Sequence, residues 1–98
     1  MDVLTREERR EIDKFMGKHI GQPNIVSMYN DYNSIMKVVE KLESLGCDYE
    51  TKNNVCSIRA KDPLYPFEIK TTLGFASHET RFESICNACL QVIRKIKT

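Results

Sequence analysis

Two stripes of apolar residues at helical spacing constrain the fold of this chain most strongly. One runs from Asp31 to Gly46 and the other from Thr80 to Lys97. In each, apolar side chains recur every three or four residues, as on the buried face of an amphipathic helix. They are Ile35, Val38, Val39, Leu42 and Leu45 in the first, and Phe82, Ile85, Cys89, Val92, Ile93 and Ile96 in the second. The pattern predicts two long helices that share a core.

A third helix is predicted near the start of the chain. Thr5 and Glu8 have the spacing of a capping box, and Gly17 is placed to end the helix. Between them, Ile12 to Met16 supplies a narrow apolar stripe. The remaining positions alternate in charge, which is typical of a solvated helix face; the alternative is an arm that docks on a partner.

Three short strands are predicted between the long helices. Residues Cys47 to Thr51 alternate between apolar and polar, Asn53-Asn54 fits a two-residue turn, and Val55 to Lys61 returns as a second strand. Phe67 to Leu73 alternates in the same way and predicts a third strand. We expect Gly74 to Glu79 to form a loop that leads into the N-terminal cap of the last helix.

These elements define an α/β (α+β) fold. We expect a single domain over residues 1–98, a compact sandwich of three helices and a short three-stranded antiparallel sheet in the order α-α-β-β-β-α. Three strands leave one sheet face and the sheet edges without cover. We therefore predict a homo-oligomer, either a dimer or a larger assembly.

Composition excludes several functional classes. The 15 Lys and Arg residues nearly balance the 14 Asp and Glu residues, which argues against a nucleic-acid binder that neutralises many phosphates. The N-terminus has no apolar run, so neither a signal peptide nor a membrane span is expected and the protein should be intracellular. We expect its four cysteines to be reduced and to pack in the core.

Cys86 and Cys89 form a Cys-x-x-Cys pair, a spacing that some zinc and redox sites use. Here the pair falls inside a predicted helix, and no second ligand pair is evident. We therefore expect a packing role and no metal site.

Candidate ligand-binding residues lie before the two long helices. Tyr29 and Tyr32 could stack on a base, and the start of the last helix could receive an anion. Alternatively, both groups serve only in capping and packing. The predicted ligand-binding set is Tyr29, Tyr32, Lys70, Ser77, His78 and Arg81, with no catalytic residue assigned.

Three stretches of the chain, in this order and spacing, resemble the phage ABA-sandwich domain family. They are Ile12 to Gly17, Tyr32 to Leu42, and Thr80 with Ser84 to Leu90. The chain departs from the family in lacking Trp; members often carry one where this chain has Lys18. The resemblance implies an α/β sandwich of phage or prophage origin, and it brings no agreed activity or catalytic residues.

The resulting hypothesis is a non-enzymatic phage or prophage binding protein in the cytoplasm of the infected bacterial host. It would act in counter-defence by sequestering a nucleotide-derived immune signal, of the cyclic dinucleotide or ADP-ribose type, without cleaving it. The alternative is a protein-protein inhibitor or adaptor that acts on a host defence protein, and a nucleotide phosphodiesterase ranks last. We expect no cofactor and no membrane or nucleic-acid partner.

Overall fold

The protein has an α+β fold with three helices and a three-stranded antiparallel sheet. This computed structural model describes residues 3–22, 24–61 and 70–96, without the side chains of Lys61, Lys70 and Thr71. The elements are α1 (Arg6–Met16), α2 (Tyr32–Ser44), β1 (Cys47–Lys52), β2 (Val55–Lys61), β3 (Lys70–Ser77) and α3 (Arg81–Ile96). The predicted order α-α-β-β-β-α is confirmed.

Local capping chemistry sets the ends of α1 and α2. The Thr5 hydroxyl accepts a hydrogen bond from the Glu8 amide at 3.1 Å, and the Glu8 carboxylate accepts one from the Thr5 amide at 2.8 Å. Asp31 caps α2 in a similar way by accepting from the Ser34 amide. Gly17 and Gly46 take positive φ values of 74° and 98° just after these helices, where a side chain would be strained.

The sheet has the strand order β1-β2-β3, and Asn53 forms the first turn with a φ of 56°. β3 continues to Ser77, which pairs with Val55, so the predicted loop from Gly74 onward is wrong for its first four residues. The reason is tertiary, because Ala76 lies opposite Cys56 in the core. Residues 62–69, which include the first predicted positions of this strand, lie outside the described residues.

The helices form layers on one side of the sheet. α3 packs on β2 and β3, α2 packs on β1, and α1 packs on α2 and α3. Along each strand, the residues that alternate with the buried ones form the opposite face of the sheet. In the described part, this face carries Asp48, Glu50, Ser57 and Arg59 beside an exposed Phe75. Because the described part of this face is mostly polar, it gives little apolar area for a partner. The homo-oligomer stays a prediction that rests on the sheet edges.

One of those edges is already partly covered. The Gln91 side chain, which α3 carries, accepts a hydrogen bond from the Phe75 amide at 3.1 Å and donates one to the Phe75 carbonyl at 2.8 Å. These two bonds satisfy backbone groups that a neighbouring strand would otherwise take. Pairing through this part of β3 would require Gln91 to move away.

All four cysteines are unpaired thiols that pack in the core. Burial raises the pKa of Cys56 to about 11 and, with a smaller contribution from Glu83, that of Cys86 to about 12. Such thiols are protonated near neutral pH and react poorly as nucleophiles. The Cys86 and Cys89 pair lies within α3, as the sequence predicts.

Within the described ranges, no helix combines the length and the apolar character that crossing a bilayer requires.

Gly74 lets α3 approach β3 closely. A Cβ atom at this position would lie 2.8 Å from Val92 Cγ2 and would also overlap the Ala88 carbonyl oxygen. Since helix backbone cannot give way as a flexible side chain does, only glycine fits here.

We therefore expect Gly74→Ala to lower the free energy of unfolding by about 2 kcal/mol through this overlap. Urea denaturation followed by circular dichroism measures the change. Thr72→Ala, an exposed position on the same strand, serves as the control and should stay within about 0.5 kcal/mol of wild type. Equal stability of the two variants would contradict the close contact between α3 and β3.

Candidate functional site

A buried carboxylate holds α1 against the segment that follows it. Asp13 is only 3% exposed although it carries a charge. One of its oxygens accepts a hydrogen bond from the Tyr29 hydroxyl at 2.6 Å, and the other accepts one from the Ser27 amide at 2.8 Å. Buried charges need such partners because the interior solvates them poorly. The contacts fix residues 27–29 along the side of α1.

These contacts shift the titration of both partners. Burial alone would raise the pKa of Asp13, but the hydrogen bonds from Tyr29 and Ser27 outweigh it and hold that pKa below the ordinary value of 3.8. Burial and the neighbouring carboxylate together raise the pKa of Tyr29. At neutral pH, Asp13 is therefore a carboxylate and Tyr29 a phenol.

The segment after α1 contains two non-glycine residues in the left-handed region. His19 has a φ of 56° and Tyr29 a φ of 47°. Between them, the Gln22 amide donates to the His19 carbonyl at 2.9 Å, which closes a tight turn with Ile20 at its tip. Strained positions of this kind persist only where surrounding contacts enforce them, and they concentrate at binding sites.

A cleft of about 290 Å³ opens between α1 and this turn. We call it the basic cleft; Asp13 contributes to its wall, and its other principal lining residues are Arg10, Lys14, Lys18, His19, Ile20 and Ile25. Arg10 and Lys14 are spaced four residues apart on α1, and Lys18 follows the Gly17 cap. We call these three bases the ridge. Three cationic side chains against one carboxylate give the lining a net charge of +2 when His19 is neutral.

Two contacts remove negative charge from the surroundings of this ridge. The Lys41 ammonium donates to the Phe15 carbonyl at 2.6 Å and so covers the negative end of the α1 dipole. Glu11 is held by Arg94 of α3 through two hydrogen bonds of 2.9 and 3.3 Å. The lining of the basic cleft therefore has a net positive charge, although Arg10 and Lys14 also face Glu7 and Glu11 in a neighbouring cleft.

A second cleft, at the β1 side of the sheet, has the opposite character. Its lining includes Glu43, Asp48 and Glu50 against a single Arg59. Three carboxylates repel an anion, so the basic cleft is the better place for the anionic ligand that the sequence predicts.

The start of α3 brings together four of the predicted site residues: Tyr32, Ser77, His78 and Arg81. Tyr32 packs on Phe82 at the beginning of the helix, with ring centroids 5.4 Å apart. Ser77 and His78 immediately precede the helix, and Arg81 is its first residue.

Contacts from the β1-β2 turn occupy this helix end. The Arg81 Nε donates to the Asn53 carbonyl at 3.0 Å, and the Asn54 side chain donates to the Glu79 carbonyl at 2.7 Å. The Ser84 hydroxyl contacts the Asn54 carbonyl and accepts from the His78 amide. Since these groups satisfy one another, the described contacts give this end a capping role.

The other two predicted residues lie elsewhere. Tyr29 is 3% exposed, and the Lys18 ammonium lies 5.3 Å from the centre of its ring. Its burial favours the packing alternative over the predicted stacking role. Lys70 starts β3 seven residues before Ser77, about 23 Å along the strand. The structure thus separates Lys70 from the group at α3, and its side chain is not among the described atoms.

Sequence reasoning missed the basic cleft, although part of its signal is visible. The regular spacing of Arg10, Lys14 and Lys18 marks a ridge, but the same spacing occurs on solvated helices. His19 and Ile20 carry no such signal, because their placement depends on the turn. Asp13 and Tyr29 are 16 residues apart, so no local pattern pairs them.

Comparison with protein-family models gives no match, and comparisons with curated proteins and with solved structures give no significant match. The resemblance to the phage family stays a prediction. Among the residues that the structure describes, no group of three or more His, Cys, Asp or Glu side chains is arranged to hold a metal ion.

The Asp13 network predicts a pH-dependent stability. Because the pKa of Asp13 is lower in the folded chain, its contribution is present above pH 3.8 and is lost as the pH falls through the folded-state value. Tyr29→Phe removes one hydrogen bond to this charge and should lower the free energy of unfolding by about 2 kcal/mol at neutral pH.

Urea denaturation at a series of pH values tests this. The difference between Tyr29→Phe and wild type should shrink as the pH falls below 3.8, since protonated Asp13 no longer needs the bond. Tyr32→Phe is the matched control and should be near neutral, because Tyr32 is exposed. A difference for Tyr29→Phe that does not change with pH would show that the bond does not stabilise a charge.

Proposed function

We propose that this protein binds a small anionic organic ligand in the basic cleft and holds it without chemical change. The observation that carries the proposal is the positive lining of that cleft, in which the one wall carboxylate, Asp13, is already hydrogen-bonded within the protein. An entering anion therefore meets the ammonium groups of Lys14 and Lys18, and Asp13 is the one carboxylate in the described lining. The two apolar side chains, Ile20 and Ile25, suit the organic part of the ligand.

The polar groups near the cleft support binding rather than turnover. His19 Nε2 lies 3.1 Å from Ser27 Oγ, a distance at which a histidine can activate a serine. However, such a pair also needs an acid that orients the histidine, and the buried Asp13 carboxylate is instead hydrogen-bonded to the Tyr29 hydroxyl and the Ser27 amide.

The resemblance to a phage family supplies the proposed biological role, which is counter-defence in the host cytoplasm. Nucleotide-derived immune signals, whether cyclic dinucleotides or ADP-ribose derivatives, combine phosphates with ring systems. The phosphates match the basic side chains of the cleft, and the ring systems match its apolar side chains. Sequestration requires a dissociation constant below the signal concentration, and it requires no catalytic group.

A second candidate function, inhibition or adaptation of a host defence protein, has its own supporting observation. Ile20 is 84% exposed, and Ile25 and Met28 on the same segment are 49% and 48% exposed. Apolar side chains grouped in this way are typical of protein contacts. A host protein that co-purifies with wild type but not with Ile20→Asp, while Leu45→Asp retains it, would favour this function.

Native mass spectrometry after incubation with cyclic dinucleotides and ADP-ribose derivatives tests the first proposal. We expect a complex that releases its ligand unaltered on heating. Lys14→Glu should weaken the complex about tenfold or more, because it reverses one charge of the ridge. Lys37→Glu makes the same change on the exposed face of α2, outside the cleft lining, and should bind as wild type does.

Two results would contradict the proposal in different ways. A chemically altered ligand would show an enzyme, and equal binding by Lys14→Glu and wild type would remove the ligand from the basic cleft. Absence of any bound mass would leave the protein-directed function as the better candidate.

A further inference from the structure

We infer that the basic cleft selects a phosphate ester of one nucleotide unit, with its phosphate at Lys14 and Lys18 and its ring system on Ile20 and Ile25. The inference rests on the proposed function and adds the chemistry of the ligand and its orientation.

The charge of the ridge favours a phosphate over a carboxylate. Lys14 lies in the last turn of α1, Lys18 follows the Gly17 cap, and both line the cleft. The diphosphate group of an ADP-ribose-type ligand carries about two negative charges at neutral pH and offers several acceptor oxygens, enough for two ammonium groups at once. A carboxylate carries one negative charge, which balances only one of the two lysine charges.

The opposite part of the cleft has a different chemistry. Ile20 lies at the tip of the turn between His19 and Gln22 and is 84% exposed. A ligand ring that covers Ile20 therefore removes a large apolar area from water. Because Tyr29 is buried, the described lining provides aliphatic contact to the ligand ring instead of an aromatic stack. Aliphatic contact discriminates weakly between bases, so we expect similar affinities for adenine and guanine nucleotides.

The size of the cleft limits the ligand. Its volume of about 290 Å³ is just below the range for small-molecule sites, about 300 to 1,000 Å³. One nucleoside phosphate suits such a space better than two linked nucleotides. A cyclic dinucleotide bound here would place one half in the cleft and leave the other half outside it.

Isothermal titration with three probes tests the assignment: ADP, inorganic pyrophosphate and adenosine. We expect ADP to bind most tightly, pyrophosphate about tenfold or more weakly, and adenosine below detection. Lys14→Gln should weaken both ADP and pyrophosphate, whereas Ile20→Ser should weaken ADP alone. The matched controls are Lys37→Gln, at an exposed position of α2, and Leu45→Ser, at the exposed residue that follows α2. Both variants should bind ADP and pyrophosphate as wild type does.

The outcomes separate this inference from the proposed function. Adenosine that binds as tightly as ADP, or pyrophosphate binding that Ile20→Ser weakens as much as Lys14→Gln does, would overturn the orientation. Binding of none of the three probes would overturn the phosphate assignment. In either case a ligand captured unaltered in native mass spectrometry, and lost in Lys14→Glu, would preserve the proposed function.

Discussion

The hydrogen-bonded carboxylate of Asp13 is the interaction on which the arrangement around α1 depends. A charged group at 3% exposure destabilises the fold unless its oxygens have partners, and these come from Ser27 and Tyr29. Tyr29 reaches Asp13 from a left-handed backbone conformation, which costs on the order of 1 kcal/mol or more. The network must offset that strain. In doing so it fixes the segment after α1 as the second wall of the basic cleft.

The positive potential of the cleft results from contacts outside it. α1 carries as many acidic as basic residues, so its sequence alone gives no strong field. Arg94 engages Glu11, and Lys41 covers the Phe15 carbonyl at the negative end of the helix. The core helices α2 and α3 thereby neutralise negative groups of α1, while its ridge of bases stays toward the cleft. The electrostatic attraction of the cleft for an anion thus depends on the packing of α1 against α2 and α3.

Sequence patterns predict those parts of the fold that local chemistry determines. The Thr5 capping box and the first four residues of the α2 stripe lie where expected, and Asn53 forms the hairpin turn. Leu45, the last predicted residue of that stripe, follows the helix and is exposed. The end of β3 escaped prediction because Gly74 suggests a turn, although the strand needs it for contact with α3. The pairing of Tyr29 with Asp13 escaped prediction because the two residues are 16 positions apart. The features that escaped prediction therefore depend on contacts between residues that are distant in sequence, whereas the predicted ones depend on neighbouring residues.

Magnitudes indicate how the two parts of the cleft divide the binding energy. A phosphate about 4 Å from one ammonium gains about 1 kcal/mol per unit charge in bulk water and about 4 kcal/mol near a protein surface. Lys14 is exposed, so salt at physiological strength, with a screening length of about 8 Å, reduces this gain. Two such contacts alone give weak binding once the entropy of association is subtracted. Sequestration at low signal concentration therefore requires the apolar contact with Ile20 and Ile25. Because the hydrogen bonds of Asp13 already fix the wall behind them, the protein loses little additional conformational entropy when the ligand binds.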